Sequence, residues 1–326
     1  MDWGTILGNA ISQIASPTTA AYALAAIGIS VHFGYTGLLN FGQAGFMAIG
    51  AYAFAIATLG FGWPVWAALL MVILASVVFA FILGLPTLRL RADYLAIVTI
   101  AAAEIVRYVV STTGLTPVTG GASGLSGFSG GFYALNPIPE GTYGFGPFTY
   151  TADGWWVRIV GWTLVAIATV LVWLLMRSPW GRVVKGIRED EDAVRSLGKN
   201  VYSYKMQSLV LGGVLGGLAG FVFILPRAVQ PGNYGTALTF FIYTLLLLGG
   251  AATVFGPIVG AMIFWVVLSL SNGIIVGLVE SGIVSFLTPD QAGQIRFIIV
   301  GVALMLLVIF RPQGIFGNKK ELSFSV

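Results

Sequence analysis

The sequence predicts an all-α polytopic membrane protein with eight to ten transmembrane helices, some interrupted or re-entrant, in one transmembrane domain over residues 1–326. Hydrophobic residues make up 57% of the chain and charged residues only 9%, against about 25% charged in a soluble domain. That leaves too little polar surface to coat a water-soluble fold. Apolar runs long enough to cross the hydrocarbon recur along the chain, where about 20 residues suffice for a helix. The basic residues gather in a few short segments between those runs, as topological markers do.

The runs fall at 17–33, 44–61, 64–85, 94–113, 155–176, 206–227, 237–252, 257–279 and 295–310, the seventh and ninth being short. Residues 1–16 form either an interfacial helix, with Ile6, Leu7, Ile11 and Ile14 on one side, or part of a further span. The start has no positively charged region and no small-residue cleavage pattern, so no removable signal peptide is expected. Twelve of the sixteen basic residues are Arg89 and Arg91, then Arg177, Arg182, Lys185, Arg188, Arg195, Lys199 and Lys205, then Arg311, Lys319 and Lys320. Loops rich in Lys and Arg stay cytoplasmic, which places the 177–205 loop and the 311–326 tail inside and makes the C-terminus cytoplasmic. The 114–153 loop has no basic residue and is expected outside as a lid or docking surface, although a floppy connector is the plainer alternative.

Composition excludes several classes. There is no cysteine and one histidine, His32, so no thiolate or multi-histidine metal site is expected and no catalytic residue is assigned. The net charge is only +4, without the basic density that nucleic-acid binding needs.

The stretch from Gly34 to Gly45 is a poor membrane helix: four glycines and the polar Thr36, Asn40 and Gln43 interrupt it. Irregular backbone at membrane depth is tolerated only inside protein or along a watery cavity, and transporters use such breaks to face substrate. Thr36, Asn40 and Gln43 are therefore candidate translocation-path residues; an ordinary cytoplasmic turn is the competing reading. Phe255-Gly256-Pro257 echoes Phe41-Gly42-Gln43, as an internal repeat would.

Glu104 and Arg107 lie within a span, three residues apart on one helical face. Glu104 sits roughly 16 Å into the bilayer at 1.5 Å per residue, where an unpaired charge costs about 2.5–3.5 kcal/mol. The pair should face the protein interior, either as a second element of the path or as a structural tie between helices. His32 reads as a packing residue, and Arg158, Arg227 and Arg296 as span-end residues that snorkel. Gly212, Gly216 and Gly220 recur every four residues, a spacing that lets helices approach closely in lipid, here within the chain or against a second subunit.

Between Ser178 and Asn200, Val183, Val184, Ile187, Ala193, Val194 and Leu197 recur at helical spacing beside the acidic run 189–192, and Gly198 supplies a stop. The expected element is one short charged amphipathic helix outside the membrane, suited to dock on a cytoplasmic partner; a solvated loop is the competing reading of the bare pattern.

The run from Ser178 to Lys205 resembles the coupling loop of branched-chain amino acid ABC importer permeases, the LivM-type subunit. Further matching runs are GYTGLLNFGQ over 34–43, LRLRADYLA over 88–96, AEIVR over 103–107, GGAATVFGP over 249–257 and IFRPQGI over 309–315. The resemblance implies an ABC importer permease fold in the bacterial cytoplasmic (inner) membrane. It also implies a homologous second permease, two cytoplasmic ATP-binding subunits that hold ATP and Mg, and an extracytoplasmic solute-binding protein. Arg188, Glu189, Asp192, Ala193 and Gly198 would meet the ATPase. The general importer signature, Glu-Ala-Ala, three residues, Gly, is only approximated by Asp192-Ala193-Val194 and Gly198, so the family-specific runs carry the resemblance. No cofactor is expected on this chain, because Ile187 and Arg188 follow Gly186 where a phosphate loop needs Lys and Ser or Thr. Leucine, isoleucine and valine are the implied solutes and urea or short amides the alternative. An ion-coupled secondary transporter is disfavoured, since Arg107 neutralises the one clear intramembrane acid, Glu104.

Overall fold

The computed structural model describes residues 2–90 and 92–281 and, beyond them, 291, 298, 301–302, 305–306, 309–310 and 313–317. The helices are α1 (Trp3–Ser12), α2 (Pro17–Ile29, continued by a wide π turn Ser30–Tyr35), α3 (Gln43–Leu59), α4 (Val65–Thr87) and α5 (Ala92–Ser111). After a folded loop come α6 (Ala152–Arg177), α7 (Pro179–Glu189), α8 (Glu191–Ser196), α9 (Val201–Ile224), α10 (Thr236–Gly249) and α11 (Gly256–Glu280).

Local chemistry sets many of these boundaries. Asp2 accepts hydrogen bonds from the Gly4 and Thr5 amides and starts α1. Ser16 accepts from Thr19 N, with Pro17 at the first helical position, and starts α2. Thr151 and Asn200 cap α6 and α9 in the same way. α1 and α2 meet at a bend of 44°.

Eight of the nine predicted runs coincide with helices. Five of these, α4, α5, α6, α9 and α11, are long and apolar enough to cross a membrane, and the bent α1–α2 pair brings the number to six. Among the described residues, length alone does not reach the expected eight to ten, because α3 and α10 have only 17 and 14 residues. Of the 295–310 run, only scattered residues are described, all helical. Arg91, Arg296, Arg311, Lys319 and Lys320 lie outside the described residues, as does most of the 311–326 tail.

α9 forms the centre, packed on α2, α3 and α4. Its apolar stretch is 72% buried, whereas that of α5 is 17% buried. Close approach to α2 and α3 depends on the glycine stripe. A Cβ on Gly220 would stand 2.0 Å from the Met47 carbonyl oxygen, and one on Gly50 would stand 2.1 Å from that of Gly217.

The bundle has two distinct ends. At the first, the loop end, Tyr150 donates to the Ser12 carbonyl, Trp162 to Ala15, and Tyr133 to Leu225. The 112–151 loop is folded here: it contains a short hairpin of β1 (Thr142–Tyr143) and β2 (Tyr150–Thr151), it bridges Leu125 to Val229, and it buries Phe128 and Phe132. At the second, the charged end, lie residues 36–42, 88–90, 178–200 and 250–255. Residues 315 and 316 also reach it, through backbone bonds to Leu248 and Gly249.

Candidate functional site

Residues 37–42 join α2 to α3 without regular helix, so their backbone donors need other partners. Gly37, with φ +73°, turns the chain, and the Leu38 amide reaches the His32 carbonyl at 2.8 Å. The Asn40 amide donates to the Leu38 carbonyl, the Phe41 amide to Thr99 Oγ1 and the Gly42 amide to Asn40 Oδ1. The Ala44 amide, unsatisfied at the start of α3, donates to Thr239 Oγ1 on α10. The Asn40 carbonyl accepts from Tyr243, whose ring stacks on Phe41 at 4.5 Å. A Cβ on Gly34 would stand 2.6 Å from the Ala252 amide nitrogen, so this break touches the 250–255 break, joining the two segments whose Phe-Gly motifs echo one another.

The sequence-predicted polar residues of the break are buried and bonded. Thr36 Oγ1 reaches the Val31 carbonyl and Ser208 Oγ. Gln43 Nε2 donates to the carbonyls of Ala25 and Gly212, while its Oε1 has no protein partner. Asn40 Nδ2 lies 3.0 Å from His32 Nδ1, and His32 Nε2 lies 3.2 Å from the Leu209 carbonyl. Because Asn40 Oδ1 already accepts from Gly42, its amide nitrogen faces the ring. Nδ1 then accepts and Nε2–H donates, which makes His32 a neutral crosslink between the break and α9.

Gly212, Gly216 and Gly220 line the α9 face that meets these residues. A Cβ on Gly212 would stand 2.2 Å from His32 Nε2, and one on Gly216 would stand 2.6 Å from Gln43 Nε2. The stripe is filled by this chain's own α2 and α3, which leaves no room there for a second subunit.

At the charged end, two helices stand where one was expected. α7 stops at Glu189, and Asp190 leaves helical geometry with φ −154° and ψ 103°. Asp190 Oδ1 accepts from the Ala193 amide and starts α8. The physical reason is the acidic run: carboxylates disfavour a helix C-terminus and favour an N-terminus, so residues 190–192 are better placed opening α8 than inside one continuous helix. Gly198, with φ +75°, closes α8. Of the other predicted residues, Arg188 turns inward and donates to the Gly34 carbonyl, against Gly37. Asp192 pairs with Arg195 at 2.8 Å on the exposed side. Ala193 and Glu189 flank the joint between the helices. Glu191 pairs with both Arg195 and Lys205, tying α8 to α9. A cleft of about 290 Å³ opens here between Thr36, Gly37, Leu90, Arg188, Glu191 and Lys205. Leu197 projects from the tip, 79% exposed.

Glu104 and Arg107 pair at 2.7 Å, each with a quarter of its side chain exposed. Glu104 Oε1 also accepts from the Thr236 amide at 3.0 Å and from its hydroxyl at 2.6 Å, at the first turn of α10. The structure does not bring this pair into direct contact with Thr36, Asn40 and Gln43; α5 itself meets the break at Thr99, and α10 links the two, bound to Glu104 at its start and to the break through Thr239 and Tyr243.

Sequence reasoning missed Thr99, Ser208, Thr236, Thr239 and Tyr243, all of which complete these two nodes. Their one signal is a hydroxyl inside an apolar run, a feature shared by several residues that serve only their own helix, such as Ser76, Thr87 and Thr169. Among the described residues, no cluster of three His, Cys, Asp or Glu side chains could hold a metal.

A family model described as branched-chain amino acid transport system / permease component matches residues 14–310. The high-affinity branched-chain amino acid transport system permease protein LivM of Salmonella typhimurium is 30% identical over 96% of this chain and 71% of its own. The probable branched-chain amino acid transport permease protein LivM of Methanocaldococcus jannaschii is 24% identical over 91% of each chain. The autoinducer 2 import system permease protein LsrC of Photorhabdus laumondii is 30% identical over 32% of this chain and 34% of its own.

Proposed function

The chain belongs to the branched-chain amino acid transport permease family, and from that premise we propose that it imports branched-chain amino acids as the permease subunit of an ATP-driven transporter. The observation that carries the coupling mechanism is the double attachment of α7–α8: Arg188 holds the Gly34 carbonyl at the start of the break, and Glu191 holds Lys205 on α9. A force on the exposed tip at Leu197, Asp192 and Arg195 would reach both the broken segment and the central helix. The partner applying it is a cytoplasmic ATP-binding subunit that carries ATP and Mg, since this chain has no phosphate loop of its own.

The charged end, rich in Lys and Arg, faces the cytoplasm, and the C-terminus with it. The loop end faces outward, where the folded 112–151 segment would receive a solute-binding protein. A homologous second permease completes the assembly in the bacterial inner membrane. α3 and α10 also cross. α10 is about 21 Å long at 1.5 Å per residue, and the turn Pro231–Tyr234 adds about 8 Å, together close to the 30 Å hydrocarbon core. The described helices α2, α3, α4, α5, α6, α9, α10 and α11 then make eight crossings, with the 295–310 run a ninth.

The test is uptake of labelled leucine and labelled urea in host cells with and without this chain, repeated after ATP depletion and with an ionophore. Loss of ATP-dependent leucine uptake on deletion is the expected result. Loss of urea uptake alone would move the chain to a urea or short-amide permease. Uptake that survives ATP depletion and stops with ionophore would overturn ATP coupling.

A further inference from the structure

Near the loop end, beneath the turn that precedes α10, two tyrosine hydroxyls are buried without a hydrogen-bonding partner. Tyr52 on α3 is 3% exposed and Tyr234 is 1% exposed, and both hydroxyl oxygens are unpartnered in the structure. Most buried polar atoms in folded proteins are bonded, and other tyrosines of this chain obey the rule: Tyr243 donates to Asn40 and Tyr133 to Leu225. The Tyr52 and Tyr234 rings stand 6.4 Å apart, and Tyr234 packs edge-on against Phe223 at 6.1 Å. Arg227 packs on the same phenylalanine, its guanidinium 4.2 Å from the Phe223 centroid and one nitrogen donating to Thr18 Oγ1 at 2.7 Å. Arg227 is exposed at the surface of the loop end and shares the Phe223 ring with Tyr234. It forms no ion pair with a described carboxylate.

These groups share one chemistry. A phenol can donate one hydrogen bond, a guanidinium donates several and carries the positive charge, and nothing within the described ion pairs answers either. The complementary ligand is a small anion with two acceptor oxygens, and the positive charge disfavours an amine. We propose that Tyr52, Tyr234 and Arg227 form a station for the carboxylate of the transported solute at the loop end, with Arg227 at the surface and the two hydroxyls below it. Its identification as the solute's carboxylate rests on the amino-acid reading above. The 112–151 loop covers the station: it bridges Leu125 to Val229 and meets the Pro231–Tyr234 turn, so loop displacement accompanies loading.

Tyr52→Phe and Tyr234→Phe remove only the orphaned oxygens and keep the rings, so the double variant folds. Two measurements decide the matter. The first is thermal unfolding of the purified full chain with leucine, with isocaproate (carboxylate without amine) and with isoamylamine (amine without carboxylate). The second is leucine uptake by cells carrying the complete transporter. The expected result is a raised unfolding temperature with leucine and isocaproate but not isoamylamine, and loss of that shift in the double variant. The unliganded variant should be at least as stable as the native chain, and its uptake at low leucine should fall about tenfold. Equal ligand shifts and equal uptake in native and variant chains would overturn the proposal while leaving the amino-acid reading intact. Shifts with carboxylates in a native chain that takes up no leucine would support an anion station and sink the amino-acid reading instead.

Discussion

Glu104 closes the half-buried start of α10: one carboxylate oxygen accepts both the backbone amide and the hydroxyl of Thr236, while the other is held by Arg107. A helix N-terminus carries unsatisfied donors and a partial positive charge, and α10 is too short for its start to reach the far interface. The donors of Thr236 therefore need an acceptor supplied at depth by another helix. Glu104 supplies it, and Arg107 balances the carboxylate's charge.

This arrangement gives an ordered prediction. Glu104→Gln keeps an acceptor for Thr236 and loses the ion pair, whereas Glu104→Ala loses both and leaves Arg107 alone. Thermal unfolding in detergent should rank native above Gln above Ala. The Ala variant should be lower by about 1.5–3 kcal/mol, the scale of a hydrogen bond to a charged group. Unchanged uptake kinetics in the Gln variant, with lowered stability, would identify the pair as a structural tie; altered kinetics at unchanged stability would place it in the path.

The α8–α9 tie predicts charge-swap rescue. Lys205→Glu sets like charges against Glu191 and should abolish uptake while membrane insertion remains normal. Combined with Glu191→Lys, it should recover part of the lost uptake. Charge reversal at Arg188, which loses its grip on the Gly34 carbonyl, should likewise abolish uptake while membrane insertion remains normal. Equal uptake in all these variants would remove α7–α8 from the coupling route.

Leu197 tests the outer face of the same element. An apolar side chain 79% exposed at a charged tip contributes little to folding, so Leu197→Asp should leave the thermal stability of the isolated chain within about 0.5 kcal/mol of native. If the tip seats in an ATP-binding subunit, that variant should fail to co-purify with the subunit. Retained co-purification would put the docking surface elsewhere.

The helices themselves were legible because hydrophobic periodicity and length are local. Most predicted bounds lie within three residues of the observed ones; the start of α9 is the exception, at Val201 where 206 was expected. Tyr202, Ser203, Tyr204 and Lys205 continue the helix into polar surroundings, where hydropathy no longer reports it. The division of α7 from α8 was also written locally, in Asp190 standing three residues before Ala193, but the hydrophobic spacing on either side masked it. The support of the 36–42 break was not legible. Thr99, Thr239 and Tyr243 lie between 58 and 203 residues away from their partners in the chain, and only the fold makes them neighbours. The same holds for Glu104, whose pairing with Arg107 could be read from spacing while its bond to Thr236 could not.

The glycine stripe gives the sharpest stability contrast. At Gly220 an added methyl meets backbone, the Met47 carbonyl oxygen at 2.0 Å, and backbone cannot rotate away. α9 and α3 would have to separate, disturbing the packing through which α9 holds α2, α3 and α4 together. Gly220→Ala should therefore destabilise by about 1–3 kcal/mol, the usual cost of overpacking, seen as lower folded yield in membranes and a lower unfolding temperature. Gly232, in the turn before α10, has open space around it and no positive φ. Gly232→Ala should stay within about 0.5 kcal/mol of native, which separates a steric requirement from a general intolerance of alanine. Equal behaviour of the two variants would mean that α9 does not need its glycines to reach α3.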